Sequence, residues 1–262
     1  MVTRAEASTA AVEVLVERRD RILIITINRP YARNAVNAAV SRALAQAMDQ
    51  LDDDPTLSVG VLTGAGGNFS AGMDLKAFAR GEDIAISGRG MGFTQRPPSK
   101  PLIAAVEGYA LGGGTELALA TDLIVAAENA TFGIPEIKRG LVAGGGGLLR
   151  LPQRIPYQIA MELSLTGNSL SAIRAHELGL VNLITHQGAA LEGAIELAES
   201  ITANGPLAIV ATKQIIVESP AWSPDETWNQ LETICTPVFA SNDAREGALA
   251  FAEKRAPTWT GT

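Results

Sequence analysis

The chain reads as an α/β protein with a helical C-terminal part, and three observations carry that reading. Short apolar runs of buried-strand length recur at Val59–Thr63, Leu102–Val106 and Leu123–Ala127. Helically spaced apolar residues lie between them: Val40, Leu44, Ala47, Met48 and Leu51 in one stretch, a Leu/Ala run after Glu116 in another. Past residue 156 the helical spacing continues with a single late strand. Strand–helix–strand units followed by helices imply an α/β core and then a helical region.

Taken in order, residues 13–28 alternate and then turn solidly apolar around the charged turn Arg18–Arg21, a hairpin whose second strand is buried. Asn34 and Asn37 precede a helix over Ala38–Leu51, which Asp52–Pro55 ends. The strand Val59–Thr63 runs into a glycine-rich loop, Gly64–Leu75. From Ala79 to Lys100 glycine and proline accumulate without periodicity, so this segment reads as a mobile surface stretch and a candidate lid. Gly140–Gly147 is glycine-rich again. Helices are expected over Pro156–Leu165, Ser171–Leu178, Ala189–Ala203, Ala208–Val217, Pro224–Ala240 and Asp243–Arg255, with a strand at Leu180–Ile184.

Composition narrows the function classes. The 262 residues are 47 % hydrophobic and 19 % charged, which is a globular composition with a substantial core. A formal net charge of −7 argues against nucleic acid as the main partner. Cys235 is the single cysteine, so neither an intrachain disulfide nor a thiolate metal cluster is expected. No apolar run reaches membrane-span or signal-peptide length, and a cytoplasmic protein is expected.

The chemistry concentrates between Val106 and Ile137. An apolar strand opens onto Gly112-Gly-Gly114, then Thr115-Glu116 and a helix; a second strand leads to Phe132-Gly-Ile-Pro-Glu136. Glycines at a strand-to-helix turn let the backbone approach a ligand and leave helix N-terminal N–H groups facing it. A carboxylate two residues after the last of these glycines does not suit a phosphate; it suits a developing oxyanion held by N–H groups while the carboxylate handles protons. Taken alone, Glu116 is an ordinary first-turn helix carboxylate and Glu136 an ordinary loop carboxylate. Together, each stands just past a sharp turn at the end of a strand, where both can converge on one pocket. Rival chemistries find few residues. His176 and His186 lie outside both glycine loops, and Ser70 has no Gly-x-Ser-x-Gly elbow. No Gly-Lys-Ser or Gly-Lys-Thr is present, and Leu117 takes the place of a dinucleotide fold's third glycine.

Five ordered stretches carry a resemblance: Asn28-Arg-Pro-Tyr-Ala-Arg-Asn-Ala35, Phe69-Ser-Ala-Gly-Met-Asp-Leu75, Gly108-Tyr-Ala-Leu-Gly-Gly-Gly-Thr-Glu116, Phe132-Gly-Ile-Pro-Glu136 and Ala250-Phe-Ala-Glu-Lys-Arg255. Over nearly its whole length the chain resembles the enoyl-CoA hydratase (crotonase) family. The resemblance implies a crotonase-like spiral of strand–strand–helix repeats over residues 1–200. It also implies a helical trimerisation region over 201–262, in a trimer or a dimer of trimers. It implies an oxyanion hole from the N–H groups of Met73 and Gly113, with Glu116 and Glu136 as catalytic carboxylates. Ala32, Arg33, Ala71, Gly72, Asp74, Leu75 and Lys76 would line the CoA nucleotide, and Phe251 and Lys254 would reach a neighbouring subunit's CoA. The substrate would be an acyl-CoA thioester; no metal or redox cofactor is expected, coenzyme A being part of the substrate.

Keeping both glutamates favours hydration of a 2-enoyl-CoA, or the reverse dehydration, over a crotonase-type isomerase, a C–C lyase or a non-catalytic acyl-CoA-binding protein. Three positions depart from the family's usual pattern. Ile134 replaces a residue that is often polar, which predicts drier surroundings for Glu136 and a raised pKa. Ala143 and Leu148 replace a proline and a polar residue in the second glycine loop.

Overall fold

A computed structural model describes residues 12–262. Its first two strands, β1 (Val14–Arg19) and β2 (Ile22–Ile27), form the expected hairpin. Asp20 takes the left-handed conformation that this two-residue turn requires. α1 (Ala38–Asp53) starts where the Asn37 side chain accepts the Val40 N–H at 2.9 Å. β3 (Val59–Gly64), α2 (Leu75–Ala79), β4 (Leu102–Val106), β5 (Tyr109–Leu111), α3 (Gly113–Ala120), β6 (Leu123–Ala127) and β7 (Thr131–Gly133) complete the first half. α4 (Gly147–Arg154), α5 (Tyr157–Thr166), β8 (Ser169–Ser171), α6 (Ala172–Glu177), β9 (Leu183–Thr185), α7 (Ala190–Thr202), α8 (Pro206–Glu218), α9 (Thr227–Phe239) and α10 (Asn242–Glu253) follow.

The larger sheet runs β1-β2-β3-β4-β6-β9 and is parallel from β2 onward. Its central strands are buried on both faces, which is why they read as continuous apolar runs rather than alternating ones. Leu23, Ile25, Ile27 and Leu62 pack with Val40, Leu44, Met48 and Leu51 of α1. On the other face Ile22, Ile24, Val61, Ile103 and Val125 meet α7, whose Ala190, Ala194 and Ala198 let the helix sit close. No helix among the described residues is long and apolar enough to cross a membrane.

Short second strands turn these units into a spiral. β5 pairs in parallel with β7, β7 pairs antiparallel with β8, and the single bridges Ser70↔Ala110 and Val36↔Met73 continue the stacking toward the N-terminus. A strand of the large sheet, a short second strand or bridge and then a helix make one turn of the spiral, the predicted architecture. Asn34, fully buried and at φ +56°, pins adjacent turns: it accepts the Arg29 N–H at 2.9 Å and donates to the Ala65 and Asn68 carbonyls at 2.8 and 2.7 Å.

Three expectations change. The segment 79–100 has little regular structure, but it is not a loose surface stretch. Met91 and Phe93 are buried in the core, Thr94 is buried beside them, and only the flanks face solvent. Glycines and prolines broke the periodicity, not the packing. The late strand starts at Leu183; Leu180 and Val181 are buried in the turn before it. A short helix, α4, follows Gly146 where the glycine run predicted none.

Candidate active site

The site is assembled where adjacent turns of the spiral meet. β4 and β5 deliver the chain to Gly112, at φ +57°, whose N–H donates to the Gly133 carbonyl at 2.8 Å. The buried Thr115 hydroxyl, 2.5 Å from the Ala110 carbonyl and 2.8 Å from that of Gly133, accepts the Gly133 N–H at 3.0 Å. These contacts fix the N-terminus of α3 against β7. Gly114 packs so tightly on the Ser70 carbonyl that no side chain fits there.

The facing loop is held from the previous turn. Val36 N–H donates to the Gly72 carbonyl at 2.8 Å and Asp74 N–H to the Val36 carbonyl at 2.9 Å. In this parallel bridge the two bonds use the residues on either side of Met73, so the Met73 N–H turns away from Val36. Neither that N–H nor the Gly113 N–H donates to a protein acceptor among the described residues. A Cβ placed on Gly72 would lie 2.7 Å from the Gly113 nitrogen, which measures how closely the two loops approach. Two free N–H groups at adjoining loops, one at a helix N-terminus, can share one oxygen acceptor.

A cleft of about 520 Å³ opens beside them, lined by Met73, Gly113, Glu116, Glu136, Met91 and Leu141 among others. Glu116 is only 3 % exposed, and its Oε1 accepts the Gly147 N–H at 3.0 Å. Burial pushes its carboxyl above the ordinary carboxylate range; N–H groups of Gly147 and Gly145 and the charge of Arg150 oppose that rise. Glu136 stands in the 3-10 turn Pro135–Arg139, with Oε1 close over Gly112 and Oε2 buried without a partner. Burial raises its pKa too, and the negative charge of Glu116 adds to the rise. An unpartnered, buried carboxyl oxygen facing a cleft is the place for a protonated acid or an ordered water.

Burial of Glu116 therefore couples folding to pH. Between the ordinary carboxylate value and its raised folded value, the native state keeps a proton that the unfolded chain has released, so stability falls as pH rises through that window. Glu116→Gln has no such proton to lose. Its melting temperature relative to the parent is expected to rise from pH 4 to pH 8; melts across that range check the sign, and a pH-independent difference would contradict it.

Of the residues expected to line CoA, Arg33, Ala71 and Leu75 border the cleft, whereas Ala32, Gly72, Asp74 and Lys76 do not. Asp74 is occupied otherwise. Its Oδ1 accepts the Lys76 and Ala77 N–H groups at 3.0 and 3.1 Å as the cap of α2, and its Oδ2 pairs with Arg29 at 3.1 Å. It holds the Met73 loop in shape. Phe251, 88 % exposed, and Lys254, at the C-terminal end of α10, stand outside the cleft of their own chain.

The matched family model, described as enoyl-CoA hydratase/isomerase, spans residues 17–262. The chain belongs to the enoyl-CoA hydratase/isomerase family. Enoyl-CoA hydratase EchA19 from Mycobacterium tuberculosis is 46 % identical, the alignment covering 94 % of this chain and 96 % of that protein. Carnitinyl-CoA dehydratase from Salmonella typhi is 45 % identical over 93 % of this chain and 97 % of its own length. The crystal structure of enoyl-CoA hydratase EchA1 from Mycobacterium marinum superposes with a TM-score of 0.95 at 74 % identity, covering 96 % of this chain and 100 % of the other.

Family motifs locate the glutamates and the paired loops, but several site residues carry no motif. Met91 comes from the irregular segment; its thioether lies against Gly113 and Gly145, as the space above those glycines shows. Ile134 is buried in a second chamber of about 380 Å³, which shares Glu136, Leu141 and Val142 with the cleft and also contains Ala143 and Leu148. Its Cδ1 and the Glu116 stem flank Gly147, so this apolar side chain dries both glutamates, not Glu136 alone. Among the described residues, no group of three or more His, Cys, Asp or Glu is placed to hold a metal ion.

Proposed function

We propose that this enzyme, a hydratase of the enoyl-CoA hydratase family, adds water across the C2–C3 double bond of a 2-enoyl-CoA thioester or removes it from a 3-hydroxyacyl-CoA. The observation that carries the reading is the meeting of the buried Glu116 and the half-buried Glu136 with two free N–H groups in one cleft. The thioester carbonyl sits between the N–H groups of Met73 and Gly113. Charge that builds on its oxygen during addition is stabilised there, each donor contributing roughly 3 kcal/mol to the barrier reduction. Glu116 and Glu136 hold one water. Glu116 takes a proton from it as its oxygen bonds to C3, and the protonated Glu136 delivers a proton to C2. The turnover leaves the proton on Glu116 instead of Glu136, and exchange with solvent restores the starting state.

Arg33, Ala71 and Leu75 at the cleft border face the CoA end, and Lys76 stands beside them in sequence. Phe251 and Lys254 serve a neighbouring subunit's CoA in a trimer or a dimer of trimers. In that assembly the core unit of residues 1–200, of which 1–11 lie outside the described residues, carries the spiral, and 201–262 is the trimerisation region. α8 and α9 bury no residue fully within their own chain, which supports an assembly role.

Loss of the conjugated-thioester absorbance on crotonyl-CoA and on a longer 2-enoyl-CoA tests the reading. Fast loss is the expected result. A folded protein that binds CoA thioesters but bleaches neither substrate would point instead to isomerisation, C–C cleavage or binding alone.

A further inference from the structure

Arg150 is a partly buried cation for which the mechanism above has no use. It lies on α4, three residues past the glycine whose N–H holds Glu116. Its Nη2 donates to the Thr94 carbonyl at 2.7 Å, and its Nη1 lies against Gly146, at φ +100°, where a side chain would collide with it. No carboxylate forms a salt bridge with it among the described residues. The carboxylate whose charge acts on it is Glu116. A desolvated guanidinium without a bonded anion is costly, so it calls for a role.

Its two contacts reach both sides of the base. Through Gly146 it supports the Gly145–Gly147 loop that donates to Glu116. Through Thr94, whose hydroxyl accepts the Met91 N–H at 3.1 Å, it ties down the segment that lays Met91 on Gly113 and Gly145. We infer that Arg150 is a positioning residue for the general base: it clamps these two segments around Glu116 and supplies the positive charge that acts on this carboxylate. The other charges are arranged to suit. Glu136 and Arg139 face the site from the 3-10 turn, where Arg139 acts on Glu136; Arg154, one turn further along α4, donates to the Thr121 carbonyl at 3.0 Å. Arg33 borders the same cleft as a further cation, and Met91, Gln95 and Leu111, which also line it, bring no charge.

The inference rests on the hydratase reading, and its test separates the two. Arg150→Gln keeps a donor for Thr94 and loses the charge; Arg150→Lys keeps the charge and loses the planar fork. In the full-length protein, kcat for crotonyl-CoA hydration is measured against pH. The Glu116 carboxyl is titrated in parallel by ¹³C NMR, its signal assigned with Glu116→Gln. In Arg150→Gln the acid limb of kcat and the Glu116 titration are both expected to move to higher pH. Its rate should drop about tenfold at the acid end and less on the alkaline plateau. In Arg150→Lys both stay near the parent's. A fall in kcat at every pH with the limb and the titration unmoved, alike in both variants, would overturn the inference. If the parent hydrates no enoyl thioester, the hydratase reading fails, and the NMR titration alone still decides whether Arg150 sets the ionisation of Glu116.

Discussion

Glu116→Gln is expected to lower kcat for hydration by about 10²–10⁴-fold, with the substrate still bound. The substitution is almost free of packing consequences. Glutamine has the shape of glutamate, and its Oε1 can still accept the Gly147 N–H that holds the native carboxylate. What is lost, on the proposed mechanism, is the ability to take a proton from water as its oxygen bonds to C3. Glu136→Gln should fail to a similar degree for the complementary reason, since an amide over Gly112 cannot hand a proton to C2. In the proposed mechanism both carboxylates act on one water in one step, so the double variant is expected to be little worse than either single one. Absorbance kinetics on crotonyl-CoA, with thioester affinity measured separately, check all three. Survival of one single variant at near-parent rate would exclude the two-glutamate mechanism and favour an isomerase or lyase that needs only one.

The parts of this site that were legible in the sequence are those with local physical reasons. Three consecutive glycines after an apolar strand mean a close backbone approach, and the Gly112 conformation and the contact of Gly114 with Ser70 are that approach. The strand–helix alternation was legible because a sheet covered on both faces needs unbroken apolar runs, and β2, β3, β4 and β6 have them. The short strands β5, β7 and β8 were not legible as a sheet. Three residues give no period, and their pairing is set by the stacking of turns more than twenty residues apart. Met91 and Phe93 were hidden for a related reason: a segment without periodicity can still be buried when glycines let it follow the surface of other elements. Arg150 and Gly145 became site residues only when the chain closed on itself, because their partners are Thr94 and Glu116.

The proposed oxyanion site offers the second large effect. Gly72→Ala is expected to lower kcat by about 10²–10³-fold, close to the loss of one donor. Gly72 sits at φ +88°, which an alanine adopts only under strain, but strain is the smaller part of the argument. The new Cβ would stand 2.5 Å from the Leu111 oxygen and 2.7 Å from the Gly113 nitrogen. Both are backbone atoms of the β5–α3 turn, so no side chain can rotate away, and the two loops must part. Parting moves the Met73 N–H away from the Gly113 N–H, and one oxygen can no longer sit at hydrogen-bonding distance from both. Gly67→Ala is the control: its φ is +78°, yet nothing lies within 4 Å of the added carbon. It should lower stability by about 1 kcal/mol and leave kcat alone. Thermal melts and absorbance kinetics on the two variants separate strain from geometry. If Gly72→Ala matches Gly67→Ala in both, the acceptor oxygen does not lie between Met73 and Gly113. If kcat falls only in Gly72→Ala, the near-contact of the two loops is what the glycine was kept for.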